Sequence, residues 1–224
     1  MMTLSCIIPA HNEARRIGSV LDAVVGHPLL DEIIVVDDDS TDETAQVAQR
    51  SGVTVLRLPE NQGKSGAVAA GFARATGSHV LMLDADLIGL TADDITALIE
   101  PVRQNPAGVT ISLRRNSPLF WRLIGLDYIS GERVFARDLV GPCPDVLRSL
   151  PNFGLEVWLN QRWISRNVPV TVVRWPGVIS PWKASKMGWL QGLRADLAMM
   201  NDIFRTLSLP QVVRQILALK RISR

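Results

Sequence analysis

Two acidic pairs stand directly after short apolar segments of the chain. Asp37 and Asp38 follow Ile-Ile-Val-Val, while Asp84 and Asp86, separated by Ala85, follow Val-Leu-Met-Leu. Alternate residues of an extended segment point to the same side, so Asp84 and Asp86 can face one hard cation. Proteins usually hold Mg²⁺ or Mn²⁺ with one or two carboxylates together with substrate phosphates. The spacing therefore predicts a divalent-cation site and a substrate that carries a diphosphate.

The loop at residues 61–66, Asn-Gln-Gly-Lys-Ser-Gly, is similar to the end of a P-loop. A P-loop would need glycine where the chain has Leu58, and no Gly-x-Gly-x-x-Gly follows the first apolar segment. These spacings exclude P-loop and dinucleotide-binding sites. The loop still combines flexible backbone, the cation of Lys64 and the start of a predicted helix, which together suit a phosphate. The alternative is an ordinary loop that begins a helix.

The first half of the chain alternates short β-branched segments with longer periodic segments. The predicted strands are residues 4–9, 32–37, 54–58 and 79–83, and the predicted helices are residues 13–25, 42–51, 66–75 and 91–104. Ser40 or Thr41 is expected to start the second helix, and Thr91 the fourth. This alternation predicts an α/β protein with a doubly wound, mostly parallel sheet. Ligands of such sheets bind at the carboxyl ends of the strands, where the acidic pairs stand.

The second half of the chain is less regular. Its predicted strands are residues 109–113 and 168–175, and its predicted helices are residues 155–166 and 187–207. After Pro210, a last amphipathic helix would place five apolar residues on one face: Leu209, Val212, Val213, Ile216 and Leu217. Because we find no repeat or linker, we expect a catalytic domain at residues 1–182 and a basic, amphipathic, C-terminal helical extension at residues 183–224.

The charge of the chain is divided between its halves. Residues 1–100 hold 6 basic and 15 acidic side chains, whereas residues 101–224 hold 18 basic and 7 acidic side chains, and all six tryptophans follow residue 120. This division indicates two different partners, one of them anionic or membranous. The alternative is that the charges are solvated faces of one fold. No feature indicates a nucleic-acid partner.

Composition and segment lengths limit the class of protein. The 224 residues are 47% hydrophobic, which excludes a disordered or collagen-like chain. Two cysteines, Cys6 and Cys143, cannot form a disulfide framework, and Cys6 lies in an apolar run, so we expect a reducing compartment. No apolar stretch reaches the roughly 18 residues of a membrane span, and the start lacks a signal-peptide pattern. We expect a cytoplasmic protein, with peripheral binding to the inner membrane face as an option.

Four motifs together resemble family 2 glycosyltransferases of GT-A fold. They are Cys-Ile-Ile-Pro-Ala-His-Asn-Glu at 6–13, Val-Val-Asp-Asp-Asp-Ser-Thr-Asp-Glu-Thr at 35–44, Asn-x-Gly-Lys at 61–64 and Asp-Ala-Asp at 84–86. Asp127, the segment 130–137 and Glu156, with Ser185-Lys186, are similar to the dolichyl- and polyprenyl-phosphate sugar transferases. The chain departs from these patterns at Asp39 and Glu43, where small residues are usual, and at Glu132, where an aromatic residue is usual.

This resemblance implies a role for each motif. The base of the nucleotide-sugar would contact Asp38, and its diphosphate would contact Lys64. The other residues expected to bind the nucleotide-sugar are Pro9, Ala10, His11, Glu13, Asp84 and Ala85. Asp84 and Asp86 would hold Mg²⁺ or Mn²⁺, which neutralises charge on the departing nucleoside diphosphate. Attack from the opposite face of the sugar would invert the anomeric centre.

The acceptor decides whether a base is needed. A hydroxyl must lose a proton, and Glu156 is the first candidate for the base, followed by Glu132 and Asp127. A phosphate has a second pKa of about 6 and attacks without a base. Basic side chains would then position it through charge-assisted hydrogen bonds; the candidates are Arg114, Arg115, Arg133, Arg137 and Lys186.

The sequence thus predicts an inverting, metal-dependent glycosyltransferase. Its candidate catalytic residues are Asp86, Glu156 and Arg133, and its candidate acceptor-binding residues are Arg114, Arg137 and Lys186. The expected donor is a UDP- or GDP-sugar, and the expected acceptor is a polyprenyl phosphate at an anionic membrane surface. The alternatives are a sugar or small-molecule hydroxyl as acceptor and, in a different class, a non-catalytic membrane-surface module. The C-terminal helix would lie on the membrane or pack on the sheet domain.

Overall fold

A mixed sheet of seven strands forms the centre of the computed structural model, which describes residues 2–141, 144–150, 154–181 and 209–223. In spatial order the strands run β3-β2-β1-β4-β6-β5-β7. Their bounds are β1 (Leu4–Ala10), β2 (Glu32–Asp37), β3 (Val53–Arg57), β4 (His79–Met82), β5 (Val109–Arg114), β6 (Arg133–Ala136) and β7 (Val170–Trp175).

The helices of the described residues cover both faces of this sheet. They are α1 (Ile17–Val24), α2 (Thr44–Ala48), α3 (Gly63–Arg74), α4 (Ala92–Gln104), α5 (Leu119–Ile124), α6 (Pro144–Arg148), α7 (Gly154–Ser165) and the C-terminal helix (Leu209–Ile222), with a short 3₁₀ turn at Arg137–Leu139. Alternate side chains of β1 point to opposite faces. Cys6 and Ile8 therefore pack with α1 and α4, while Ile7 packs with α3 and α7.

Strand pairing brings the polar strand ends together. β1 lies between β2 and β4 and is parallel to both, with Ala10 opposite Asp37 and Ile7 opposite Met82. The loops that follow these three strands consequently leave the sheet at the same edge, as expected for ligand sites of parallel sheets.

The predicted α/β class with a mostly parallel sheet is confirmed. β2 has the predicted bounds, and the other predicted strands differ from the observed ones by one or two residues at an end. Thr91 caps α4 as expected, because its hydroxyl accepts a hydrogen bond from the Asp94 N–H while the Asp94 carboxylate accepts one from Thr91 N–H. The predicted first helix, residues 13–25, begins only at Ile17, and α3 begins at Gly63, three residues earlier than predicted.

Strand β6 has no counterpart among the predicted elements. It is four residues long, begins with a charged residue and runs antiparallel between β4 and β5. So short a segment carries little periodicity, and its strand conformation depends on two neighbours that are distant in sequence.

The C-terminal helix packs on the sheet domain. Val212 and Leu219 are buried in the same cluster as α3 and α7, and the Tyr128 hydroxyl donates a hydrogen bond to Gln215 Oε1. The predicted apolar face is wrong in part, because Val213 and Leu217 are 47% and 58% exposed. The predicted helix at residues 187–207 lies outside the described residues. In the described part of the chain, no helix is long and apolar enough to cross a membrane.

Leu219→Ala should destabilise the protein by about 2–5 kcal/mol, because it leaves a cavity in the core on which the C-terminal helix packs. Leu217→Ala, on the exposed side of the same helix, should change the free energy of unfolding by less than about 0.5 kcal/mol. Urea unfolding of both variants measures the difference. Equal effects would mean that the helix does not depend on this packing.

Candidate functional site

The loops after β1 and β2 interlock through polar side chains. His11 Nδ1 lies 2.8 Å from the Asp38 carbonyl oxygen, and its Nε2 lies 3.0 Å from Asn12 Nδ2. The carbonyl can only accept, so its contact with His11 is a hydrogen bond when Nδ1 carries the ring proton; the Asn61 amide nitrogen also lies 3.1 Å from Nδ1. The buried Asp38 carboxylate accepts a hydrogen bond of 2.8 Å from the Gln62 N–H, which ties the loop before α3 to the end of β2.

Two residues of these loops adopt left-handed backbone conformations. Asn12 has φ 56° and Asp39 has φ 58°. Asn and Asp tolerate this region better than other non-glycine residues. The left-handed conformation is one that Asp adopts more readily than most residues, which gives a physical reason for Asp39 at a position where the resemblance led us to expect a small residue.

The remaining donor-side candidates line the same edge of the sheet. Pro9 and Ala10 form the end of β1, and the Glu13 carboxylate pairs with Arg16 at 3.0 Å. Ala85 is buried between the two aspartates of the Asp-Ala-Asp segment.

Asp84 and Asp86 lie in different electrostatic surroundings. Burial works against the charged form of Asp84, but Lys64 and Arg114 outweigh it and lower the pKa of that carboxyl. Burial, with the negative charges of Asp84 and Glu13, raises the pKa of Asp86 to about 6. Asp86 is thus the carboxylate whose charge is least compensated, and a bound cation would relieve it.

Lys64 joins this acidic segment to α7. Its Nζ lies 2.7 Å from Asp84 Oδ1 and 2.9 Å from Glu156 Oε1. Glu156 is the third residue of α7, where the helix N-terminus favours a negative charge, and its side chain is only 2% exposed. Burial alone would lower the pKa of Lys64, but the two carboxylates raise it above its ordinary value.

Gly131 lies beside the contact between Asp84 and Lys64 and, having no side chain, leaves room for both groups. A Cβ built on Gly131 would lie 2.5 Å from Asp84 Oδ1 and 2.7 Å from Lys64 Nζ, so any larger residue would displace one of the two groups. The Ser-Gly-Glu segment was the sequence signal for this position.

Arg114 holds a second group of carboxylates. Its Nη1 donates to Glu132 Oε1 at 2.9 Å, its Nη2 lies 3.7 Å from Asp127 Oδ2, and Asp84 is 3.9 Å away. Glu132 and Asp127 are both fully buried. Glu132 accepts hydrogen bonds from the hydroxyls of Ser112 and Ser130, at 2.6 and 2.7 Å. Asp127 accepts one from Ser117 Oγ at 2.6 Å. Burial nonetheless raises the pKa of Glu132.

Two of the predicted arginines differ from their expected roles. Arg133 is fully buried: it donates to the carbonyl oxygens of Ser130 and Tyr128 and to Asn160 Oδ1, and it stacks on Trp163. These contacts give Arg133 a structural role in place of the expected catalytic one.

Arg137 follows the antiparallel strand β6, and its N–H donates to the Ser78 carbonyl at the amino end of β4. It therefore stands at the opposite edge of the sheet from Asp84, which corrects the expectation that it binds the acceptor. Arg115 is exposed beside Arg114, and Lys186 lies outside the described residues.

The donor set fits a hard divalent cation held jointly with a substrate. Among the described residues, no group of three or more His, Cys, Asp or Glu side chains is arranged to hold a metal ion. Asp84 and Asp86 supply two carboxylates, and Mg²⁺ or Mn²⁺ commonly completes such a site with phosphate oxygens and water. The arrangement can bind a metal–diphosphate complex with a buried carboxylate, Glu156, nearby.

Comparison with known proteins adds a family match. The model of the family described as "Glycosyl transferase family 2" matches residues 5–149. The 4,4'-diaponeurosporenoate glycosyltransferase of Staphylococcus aureus (strain USA300) is 38% identical over 101 residues, which are 43% of this chain and 27% of that protein. The chain spans about a quarter of the length of the curated relatives that it matches.

Solved structures of glucosyl-3-phosphoglycerate synthase from Mycobacterium tuberculosis share the fold. The complex with Mn²⁺, UDP and glucosyl-3-phosphoglycerate has a TM-score of 0.72 and 25% identity, covering 92% of this chain and 80% of that one. The complex with Mn²⁺, UDP-glucose and phosphoglyceric acid has a TM-score of 0.67 and 27% identity, covering 80% and 72%. The complex with Mg²⁺ and UDP has a TM-score of 0.68 and 26% identity, with the same coverage.

Asp86→Asn should stabilise the metal-free protein at pH 7 by about 1–3 kcal/mol. The folded-state pKa of about 6 lies above the unfolded value, so the folded protein holds a proton that the unfolded chain releases. The stability of the unsubstituted protein should therefore fall as pH rises from about 4 to about 6.

Urea unfolding in EDTA at pH 4 and pH 7 measures this effect. The gain from Asp86→Asn should shrink to a small fraction of its pH 7 value at pH 4, where Asp86 is protonated in the folded protein and about half protonated in the unfolded chain. Asp145→Asn, at a side chain that is 95% exposed, serves as the control and should show little change. A loss of stability with Asp86→Asn at pH 7 would contradict the assignment.

Proposed function

Because the chain belongs to glycosyl transferase family 2, we propose that it transfers a sugar from a nucleotide-diphosphate donor to a hydroxyl group of its acceptor. A divalent cation, Mg²⁺ or Mn²⁺, takes part at the diphosphate. The observation that carries this proposal is the pair of contacts that Lys64 makes with Asp84 and Glu156. Through its ammonium group, a carboxylate suited to bind a metal ion is joined to a buried carboxylate suited to act as a base.

The donor side follows from the acidic edge of the sheet. Asp84 and Asp86 hold the cation, which offsets negative charge on the departing nucleoside diphosphate. His11, Asp38 and the loop before α3 form the wall on which the nucleoside rests. The related synthase structures contain UDP or UDP-glucose with Mn²⁺, which supports a UDP-sugar as the donor.

Lys64 has a part in both states of the site. Without donor it neutralises Asp84 and Glu156. When the donor binds, its diphosphate would compete for the same ammonium group, and Asp84 would be held by the cation instead. Lys64 would then compensate the charge of Glu156 less completely.

On the acceptor side, Glu156 is the group that removes the hydroxyl proton as the oxygen attacks the sugar. Its carboxylate is buried at the first turn of α7 and is held beside the donor end by Lys64. Attack opposite the leaving diphosphate inverts the anomeric centre. General-base help of this kind contributes about 10²–10⁴-fold to a reaction rate.

Two of the arginines predicted to bind a phosphate acceptor are not available to it in this structure, which favours a hydroxyl as the attacking group. Arg114 is already surrounded by Glu132, Asp127 and Asp84, and Arg137 stands at the other edge of the sheet. Neither leaves an unshared cation for a phosphate dianion near Asp86.

A polyprenyl phosphate at a membrane is the second candidate acceptor. Exposed apolar side chains on two helices favour it: Phe120 and Leu123 of α5, and Val213 and Leu217 of the C-terminal helix. Exposed basic residues, including Arg122 and Arg214, stand beside them in sequence and would attract anionic lipid. In this case the protein would act as a peripheral membrane enzyme.

The donor proposal predicts that Asp84→Asn lowers transfer at least about 100-fold, because charge on the leaving diphosphate is no longer balanced. The measurement is release of nucleoside diphosphate from a panel of UDP- and GDP-sugars with Mn²⁺, and excess EDTA should abolish it. Asp93→Asn, on the exposed first turn of α4, is the control. Undiminished turnover in EDTA would overturn the metal assignment.

The acceptor proposal predicts that Glu156→Gln loses about 10²–10⁴-fold in transfer to a hydroxyl acceptor such as 3-phosphoglycerate. UDP affinity measured by calorimetry should not weaken, because the substitution removes a competitor for the Lys64 ammonium group. Glu100→Gln, a half-exposed residue of α4, is the control. The same variants should be assayed with polyprenyl phosphate in anionic vesicles. Transfer to that lipid, undiminished in Glu156→Gln, would replace the hydroxyl proposal with the second candidate.

A further inference from the structure

The loop after β7 reaches back to the acidic segment through Ser180. The Ser180 hydroxyl donates a hydrogen bond of 3.3 Å to Asp86 Oδ1, across 94 positions of sequence. Within the described residues, Asp86 has no ion pair with a lysine or arginine. The hydroxyl occupies one oxygen of the carboxylate and leaves the other available to a cation.

The peptide of Ser180 is itself held by one side chain. The Asn116 amide donates from Nδ2 to the Ser180 carbonyl oxygen at 2.6 Å and accepts at Oδ1 from the Ser180 N–H at 3.2 Å. A side-chain amide that satisfies both backbone groups of one residue acts as a strand neighbour would. Asn116 follows β5, so this contact fixes the loop after β7 to the end of its parallel partner.

Backbone contacts lock the same loop to the segment after Asp86. Ile88 and Ile179 exchange two hydrogen bonds, of 2.9 and 3.0 Å. Gly89 has φ 78°, and a Cβ on it would lie 2.6 Å from the Gly177 carbonyl oxygen. The two segments of the chain therefore approach as closely as glycine permits. The backbone of Ser180 is therefore held from two sides, by the Asn116 side chain and by the pairing of Ile88 with Ile179.

We propose that Ser180 and Asn116 are positioning residues for the metal carboxylate Asp86: the hydroxyl orients the carboxylate toward the cation, and the amide holds the hydroxyl in place. This inference rests on the proposed function, because it takes Asp86 as a ligand of the donor-bound cation. Partners that orient a ligating carboxylate raise metal affinity, since the unligated carboxylate no longer has to be ordered when the cation binds.

Ser180→Ala should weaken Mn²⁺ binding to the full chain with UDP about tenfold, within the 10–100-fold range for loss of a group that orients a ligand. The electron paramagnetic resonance signal of free Mn²⁺ measures this without turnover. Ser180→Thr keeps the hydroxyl and should bind as the unsubstituted protein does. Ser165→Ala, which removes an exposed hydroxyl of α7, is the matched control.

Asn116→Ala should cause a similar loss, and the double variant should be no weaker than the Ser180→Ala variant, because both changes remove the same oriented contact. Thermal unfolding of each variant identifies any that fail to fold, and Ser180→Ala remains decisive if Asn116→Ala is one of them. Additive losses in a folded double variant would overturn the link between the two residues.

The outcomes separate this inference from the function on which it rests. If the unsubstituted protein binds no Mn²⁺ with UDP, the proposed metal site is wrong. If it binds Mn²⁺ and the Ser180→Ala variant binds equally well, the metal site stands and the positioning role of Ser180 is wrong.

Discussion

The ammonium group of Lys64 lies between two carboxylates from distant parts of the chain, 2.7 Å from Asp84 and 2.9 Å from Glu156. Two carboxylates that approach one space from a strand end and a helix start repel each other, and little water remains to screen them. Lys64 compensates both charges at once, and its backbone is fixed because it stands in the first turn of α3. In the proposed function, the donor side and the acceptor side therefore share one counter-ion, and binding at either side would change the charge felt at the other.

Arg114 and Arg133 have different surroundings because they lie on neighbouring strands of the sheet that run in opposite directions. Arg114, at the end of β5, is aimed among Glu132, Asp127 and Asp84. Arg133 begins the antiparallel strand β6 and is buried under α7, where carbonyl oxygens and Trp163 take up its charge. A buried guanidinium with all these partners rigidifies its surroundings, whereas its loss would leave several acceptors unpaired. Arg133 thus supports the chain that carries Gly131, which in turn leaves room for Asp84 and Lys64.

The carboxylates of the site outnumber the cations that contact them. Asp84, Glu156, Glu132 and Asp127 meet the two side chains Lys64 and Arg114, and Asp86 adds a further negative charge. A cluster with this excess attracts a divalent cation. The same excess explains the asymmetry of Asp84 and Asp86, because Lys64 reaches only the first of them. The excess of carboxylates therefore suits the binding of a divalent cation together with a nucleotide-sugar.

The sequence by itself determined the parallel α/β architecture, because short β-branched segments alternate with amphipathic ones, and it determined which strand ends carry the acidic pairs. Asp84, Asp86, Lys64 and Glu156 could be named from their motifs, and parallel strands must release their loops at one edge. Tertiary structure decided the rest. The four-residue β6 exists only between two neighbours, and its antiparallel direction places Arg133 inside the core and sends Arg137 to the far edge. Nor does any local pattern join Asn116 and Ser180 to Asp86, because their contact depends on the order of strands in the sheet. The buried face of the C-terminal helix was likewise set by where α7 meets it: Leu219 packs while Leu217 faces outward, a choice that amphipathic spacing alone leaves open.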